Sequence, residues 1–116
     1  MEYSKDPTIA RLQRLKRAEA ILREEYDKEE HKRPQYEIDL AKYRSEVEAI
    51  NKKPENEFKK EWELHQQYPP SPNPPNKEHA ERRASYRTLE EMTLTERLCK
   101  EYMKIVKHRI EAQPKT

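Results

Sequence analysis

Residues 34–51 read PQYEIDLAKYRSEVEAIN. Within them Tyr36, Leu40, Tyr43, Val47 and Ile50 recur at steps of four, three, four and three. That is the a/d spacing of a helix that packs against another helix. Pro34 stands at the start, where a first helical turn tolerates it. The pattern lasts two heptads, which suits a short antiparallel contact better than a long coiled coil.

Working outward, prolines cut the chain into further helical segments. Upstream, Asp6-Pro7 reads as an N-cap followed by proline at the first helical position. Ile9, Leu12, Leu15, Leu22 and Tyr26 then follow at helical spacing to about His31. Downstream, Asn51 to Pro54 punctuates, and a third helix is expected from Pro54, with Glu55 and Glu57 in its first turn and Phe58, Trp62 and His65 on one face. Tyr68-Pro69-Pro70-Ser71-Pro72-Asn73-Pro74-Pro75-Asn76 holds five prolines in nine residues and predicts a stiff polyproline II connector. Asn76 is placed to cap a fourth helix, with Tyr86 and Leu89 as its apolar positions. Thr88 with Glu91, and Thr93 with Glu96, each fit a capping box, the second being preferred because Leu94, Leu98, Tyr102, Ile105 and Val106 follow it. Pro114 is expected to close the last helix. The predicted architecture is all-α: four or five short helices in two groups, extended rather than compact. The groups are an N-terminal helical region (1–68) and a C-terminal one (77–116), joined by a connector (69–76).

Composition supports that class. The chain has 116 residues with no glycine and nine prolines. Tight I′ and II′ hairpins lose their preferred residue, which argues against sheets. Phosphate-cradling glycine loops and the G-x-S-x-G elbow cannot be written. Cys99, the one cysteine, has no internal disulfide partner and builds no thiolate zinc site. It lies beside an apolar helix face and reads as a packing residue. The four histidines never fall at i, i+3 or i+4, and no H-E-x-x-H occurs. Acidic neighbours such as Glu24-Glu25 and Glu90-Glu91 sit among charges and are expected to be solvated, whereas a catalytic pair needs burial to separate its pKa values. No catalytic, cofactor-binding or metal-ligating residue is assigned, no cofactor is called for, and an enzyme is not expected.

Charge is dense and nearly balanced, 25 basic against 23 acidic residues. No stretch approaches the ~20 apolar residues of a membrane span, and residues 1–6 offer no apolar core of a secretory signal. Arg11, Arg14, Lys16 and Arg17 with Leu12 and Leu15 are similar to a mitochondrial presequence, although Glu19, Glu24 and Glu25 do not suit one. The same cluster is a possible nucleic-acid contact, yet before Pro34 eight acids nearly cancel nine bases. On the last helix Arg97, Lys100, Lys104 and Lys107 form a basic face, readable as a footprint for anions or as an ordinary solvated face.

Other short motifs are weaker. Pro72 to Lys77 matches a PxxPx[K/R] SH3 ligand, with a rigid spacer the preferred reading. Arg82-Arg83-Ala84-Ser85 and Ser71-Pro72 match kinase sites. Seven tyrosines against one phenylalanine suit interfaces, where a ring is buried and a hydroxyl meets a polar partner. Partner binding is therefore assigned to the Tyr36, Leu40, Tyr43, Val47 and Ile50 seam. A Phe58 and Trp62 anchor with Tyr68 joins it, and Leu94, Leu98, Tyr102 and Ile105 form a second docking face.

The function expected is a non-catalytic structural or accessory subunit that braces neighbouring proteins in a large assembly, with no homo-oligomer. A cytoskeletal or axonemal filament-associated protein is preferred, acting inside the cell. The alternatives are a soluble accessory subunit of a mitochondrial respiratory or ATP synthase complex, a small peripheral ribosomal RNA-binding protein, and an adaptor read by SH3 or kinase partners.

Overall fold

A computed structural model describes residues 2–113, so the expected stop at Pro114 lies outside the described residues. The fold is all-α, and among the described residues there is no strand. The elements are α1 (Pro7–Glu30), α2 (Arg33–Asn51), a 3-10 turn (Pro54–Asn56), α3 (Glu61–His65), α4 (Lys77–Met92) and α5 (Glu96–Ala112). They fall into two compact units, residues 1–30 with 76–116, and residues 31–75. The expected grouping thus changes: α1 packs on α4 and α5 rather than with the segments next to it in sequence.

In the first unit Leu15, Ala18, Ile21, Leu22, Ala84, Cys99, Tyr102, Met103 and Val106 form the core. Asp6 caps α1 through its carboxylate, which accepts from the Thr8 amide at 2.9 Å. The face that α1 buries differs from the expected one. Ile9 and Leu12 are exposed, and the buried stripe continues from Ala18 and Leu22 into Glu25 and Glu29, the same four, three, four spacing with carboxylates at its end. On α4 the buried positions are Ala80, Ala84, Thr88 and Met92, every fourth residue, while Tyr86 is exposed. Small side chains there let neighbouring helices approach closely. Thr88 therefore lies inside a helix and opens no capping box.

Polar groups fasten α1 to α4. The Glu25 carboxylate accepts from Arg83 Nε at 2.8 Å and Arg87 Nη1 at 3.0 Å. Glu29 accepts from Arg83 Nη2 at 2.8 Å and from the Asn76 backbone amide at 3.1 Å. Asn76 in turn caps α4 with its side chain, which accepts from the Glu78 amide at 2.9 Å. Burial pushes the Glu25 carboxyl upward, but the hydrogen bonds from Arg83, Arg87 and Lys28 outweigh it and hold it at about 2. At the other end Arg17 grips Glu91 through two nitrogens, at 2.9 Å each. Tyr26 donates to Glu81 at 2.9 Å, and Lys107 of α5 reaches the same carboxylate at 3.3 Å.

The α4–α5 corner lacks the glycine that helices usually place there. Thr93 takes the left-handed conformation instead, at φ 51° and ψ 41°. The N-cap of α5 is Thr95, whose hydroxyl accepts from the Leu98 amide at 3.2 Å, and not Thr93.

The second unit is built differently. On α2 the half-buried residues are Tyr36, Leu40, Tyr43, Val47 and Ile50, and every other position is exposed. No second long helix belongs to this unit, and the returning chain meets the seam at Tyr43. Tyr43 shares a shallow groove with Pro69, Pro70 and Pro72. Pro69, Pro72 and Pro75 are half-buried, every third residue, as one face of a three-residue-per-turn polyproline II helix requires. The expected third helix is broken. Asn56 is buried, donates to the Ile50 carbonyl at 2.8 Å and pairs with the Gln67 amide at 3.0 and 3.2 Å. A short polar side chain tied to backbone in this way competes with helix. The chain then runs extended through Lys60, at ψ 155°, before α3 begins.

Candidate docking surfaces

Phe58 and Trp62 are the exposed aromatic side chains of their unit. Phe58, in the turn before α3, is 93% exposed, and Trp62, on α3, is 59% exposed. They do not share a regular helical face, because the chain is extended between them. The backbone that presents them is nonetheless pinned. Asn56 anchors the turn before Phe58, and Tyr68, after α3, donates to Asn51 and meets the His65 ring edge-on at 5.0 Å. Ile38 is also exposed, on the side of α2 away from the seam.

The expected face on α5 is largely covered by the chain itself. Tyr102 is buried in the core, with Leu94 and Ile105 packed against it. The buried stripe of α5 runs through Cys99, Tyr102, Met103 and Val106, leaving Leu98 at its exposed edge. Leu94, Tyr102 and Ile105 are thus corrected from docking residues to core and core-margin residues. The seam of α2 is likewise half-buried, with the prolines beside it at Tyr43, so its free area is smaller than a bare helix face would offer.

Arg97, Lys100, Lys104 and Lys107 are all exposed. Lys107 is bound to Glu81, and Arg97 lies 3.8 Å from Glu101. Among the described residues Lys100 and Lys104 have no ion-pair partner. In the other basic cluster Arg17 is held by Glu91, and Arg14 sits over the Tyr3 ring at 4.7 Å, leaving Arg11 and Lys16 as its exposed cations.

Both short motifs meet obstacles in the fold. Pro72 and Pro75, the paired prolines of the SH3 pattern, are half-buried, and Lys77 belongs to α4. Ser85 lies within α4, where its carbonyl accepts from the Cys99 thiol at 3.4 Å, and the neighbouring Arg83 is committed to Glu25 and Glu29. Ser71, by contrast, is exposed in extended chain. Cys99 is buried, and that burial raises its thiol pKa, which disfavours the reactive thiolate. Among the described residues no cluster of three or more His, Cys, Asp or Glu is placed to hold a metal, and no helix is long and apolar enough to cross a membrane.

Sequence reasoning missed the carboxylates that organise the first unit. Glu25 and Glu29 are four apart at core positions, and Arg83 and Arg87 are four apart on a later helix. That matched spacing was the available signal. Set beside known proteins, the chain matches no family model, no curated protein and no solved structure.

Proposed function

We propose that this chain is a non-catalytic structural subunit that braces neighbouring proteins in a large assembly, with Phe58 and Trp62 as its anchor. The observation that carries this reading is the exposure of both aromatic side chains on backbone held by the Asn56 hydrogen bonds. Fixing the backbone in advance reduces the ordering entropy of docking, and a buried Trp is a frequent hot spot. Within this class a filament-associated role is preferred, since the exposed cations of α5 suit an acidic filament surface.

The test is velocity sedimentation of the tagged chain in native extract, followed by identification of the proteins that travel with it. Wild type is expected to migrate with a defined set of large-complex subunits, and their identity decides between filament and mitochondrial complex. The Phe58→Ala, Trp62→Ala double variant should shift to the monomer position. Wild type found only as a folded monomer overturns the bracing role, and a double variant that still co-migrates overturns the anchor.

A further inference from the structure

The α4–α5 side of the first unit carries a trough on whose rim three cations, Arg82, Lys100 and Lys104, have no partner among the described residues. One groove, about 260 Å³, is lined by Tyr86, Leu89 and Cys99 between Arg82 and Lys100. A second, about 410 Å³, has the buried Leu22 and Met103 at its floor and Lys104 beside the Glu81–Lys107 pair on its rim. Arg82 and Ser85 line both, so the two are continuous. Cys99 and Met103 lie one turn apart on α5, about 6 Å along its axis.

The rim is electrostatically incomplete. Arg17, Arg83, Arg87 and Lys107 are all held by carboxylates of this unit. Arg82, Lys100 and Lys104, which line the trough, make no ion pair or side-chain hydrogen bond among the described residues. Tyr86, 70% exposed, forms one wall. From this juxtaposition we infer that the trough binds an acidic amphipathic segment of a partner protein. An apolar side chain of that segment lies over Leu89 and against the Tyr86 ring, in the groove that Cys99 floors. Its carboxylates face Arg82, Lys100 and Lys104. A nucleic-acid strand fits less well, because Glu78, Glu81 and Glu96 on the same rim repel a continuous phosphate backbone, whereas a peptide can carry carboxylates only where Arg82, Lys100 and Lys104 stand.

This deepens the bracing reading by adding a second contact, and its test uses different residues. The 15N-labelled full chain is titrated with a synthetic peptide carrying leucines four apart among glutamates. Parallel titrations use the same peptide with lysines for glutamates, and a single-stranded RNA. The acidic peptide should shift the Ser85, Tyr86, Leu89, Cys99 and Met103 amides saturably. The Arg82→Glu, Lys100→Glu variant, with its wild-type spectrum otherwise retained, should bind at least tenfold more weakly. The Phe58→Ala, Trp62→Ala variant should bind unchanged, which separates this surface from the anchor. Absence of shifts, equal shifts with the lysine peptide, shifts with RNA alone, or undiminished binding by the charge-reversed variant each overturns the inference.

Discussion

The two units reach stability by different means. In residues 1–30 with 76–116, three helices bury aliphatic side chains completely: Ile21, Leu22 and Val106 have no exposed surface. A carboxylate–guanidinium network extends the α1–α4 contact where apolar residues run out. In residues 31–75, among the described residues, none of the apolar side chains is fully buried, and the one buried residue is Asn56. There the seam of α2 is matched with prolines, which are already extended and lose little entropy on docking. A chain poor in large apolar residues can thus fold locally in two ways, by closing a small core with ion pairs or by laying a stiff ribbon on one helix.

The largest expected break in that contrast comes from deleting core volume. Ile21→Ala should destabilise the first unit by about 3–4 kcal/mol, the transfer loss plus a cavity. Val47→Ala, on the half-covered seam, should cost about 1 kcal/mol, because less surface is removed from contact. Urea unfolding, followed through backbone amide signals of each unit, checks both. Equal losses from the two variants would erase the distinction between core and ribbon.

Acid should act next in size, and on the first unit. The Glu25 carboxyl lies below its ordinary value of 4.5, at about 2, so the folded state favours its ionised form. Its contribution is fully present above the ordinary value and is lost as pH falls through about 2. That displacement corresponds to about 3 kcal/mol. Thermal unfolding followed between pH 6 and about 2 should show this loss, and Glu25→Gln should flatten it while lowering stability at neutral pH. An acid limb unchanged by the variant would remove the network from the account.

How much of this was legible depended on whether a residue's chemistry agreed with its position. The seam of Tyr36, Leu40, Tyr43, Val47 and Ile50 emerged as the half-buried face, because large apolar residues stand at every a/d site and, Ile38 apart, nowhere else on α2. Asn76 as a cap was readable for the same reason. The stripe of α1 was misread toward Ile9 and Leu12 because its true continuation is Glu25 and Glu29, whose burial depends on arginines over fifty residues away. On α4 the aromatic Tyr86 drew attention from Ala80 and Ala84, which pack because they are small. The cover of the seam was hidden too. A proline segment reads as a linker until its every-third-residue face is set against a helix. Of the residues proposed for docking, Phe58 and Trp62 were readable by type, but their presentation depended on Asn56, an unremarked residue.

The smallest effect tests the corner between α4 and α5, where two threonines two residues apart should respond with opposite sign. Thr93 is β-branched and left-handed, at φ 51°, a conformation that costs an ordinary L-residue about 1–2 kcal/mol. Glycine removes that strain but adds unfolded-state entropy, so Thr93→Gly should stabilise the first unit by about 0.5–1 kcal/mol. Thr95 instead supplies the hydroxyl that caps α5, and Thr95→Ala should destabilise by about 1 kcal/mol. The capping box first read at Thr93 and Glu96 implies the reverse, with Thr93→Gly losing a cap and Thr95→Ala nearly silent. Midpoint shifts of the two variants in urea decide which threonine holds the helix and which merely turns the chain.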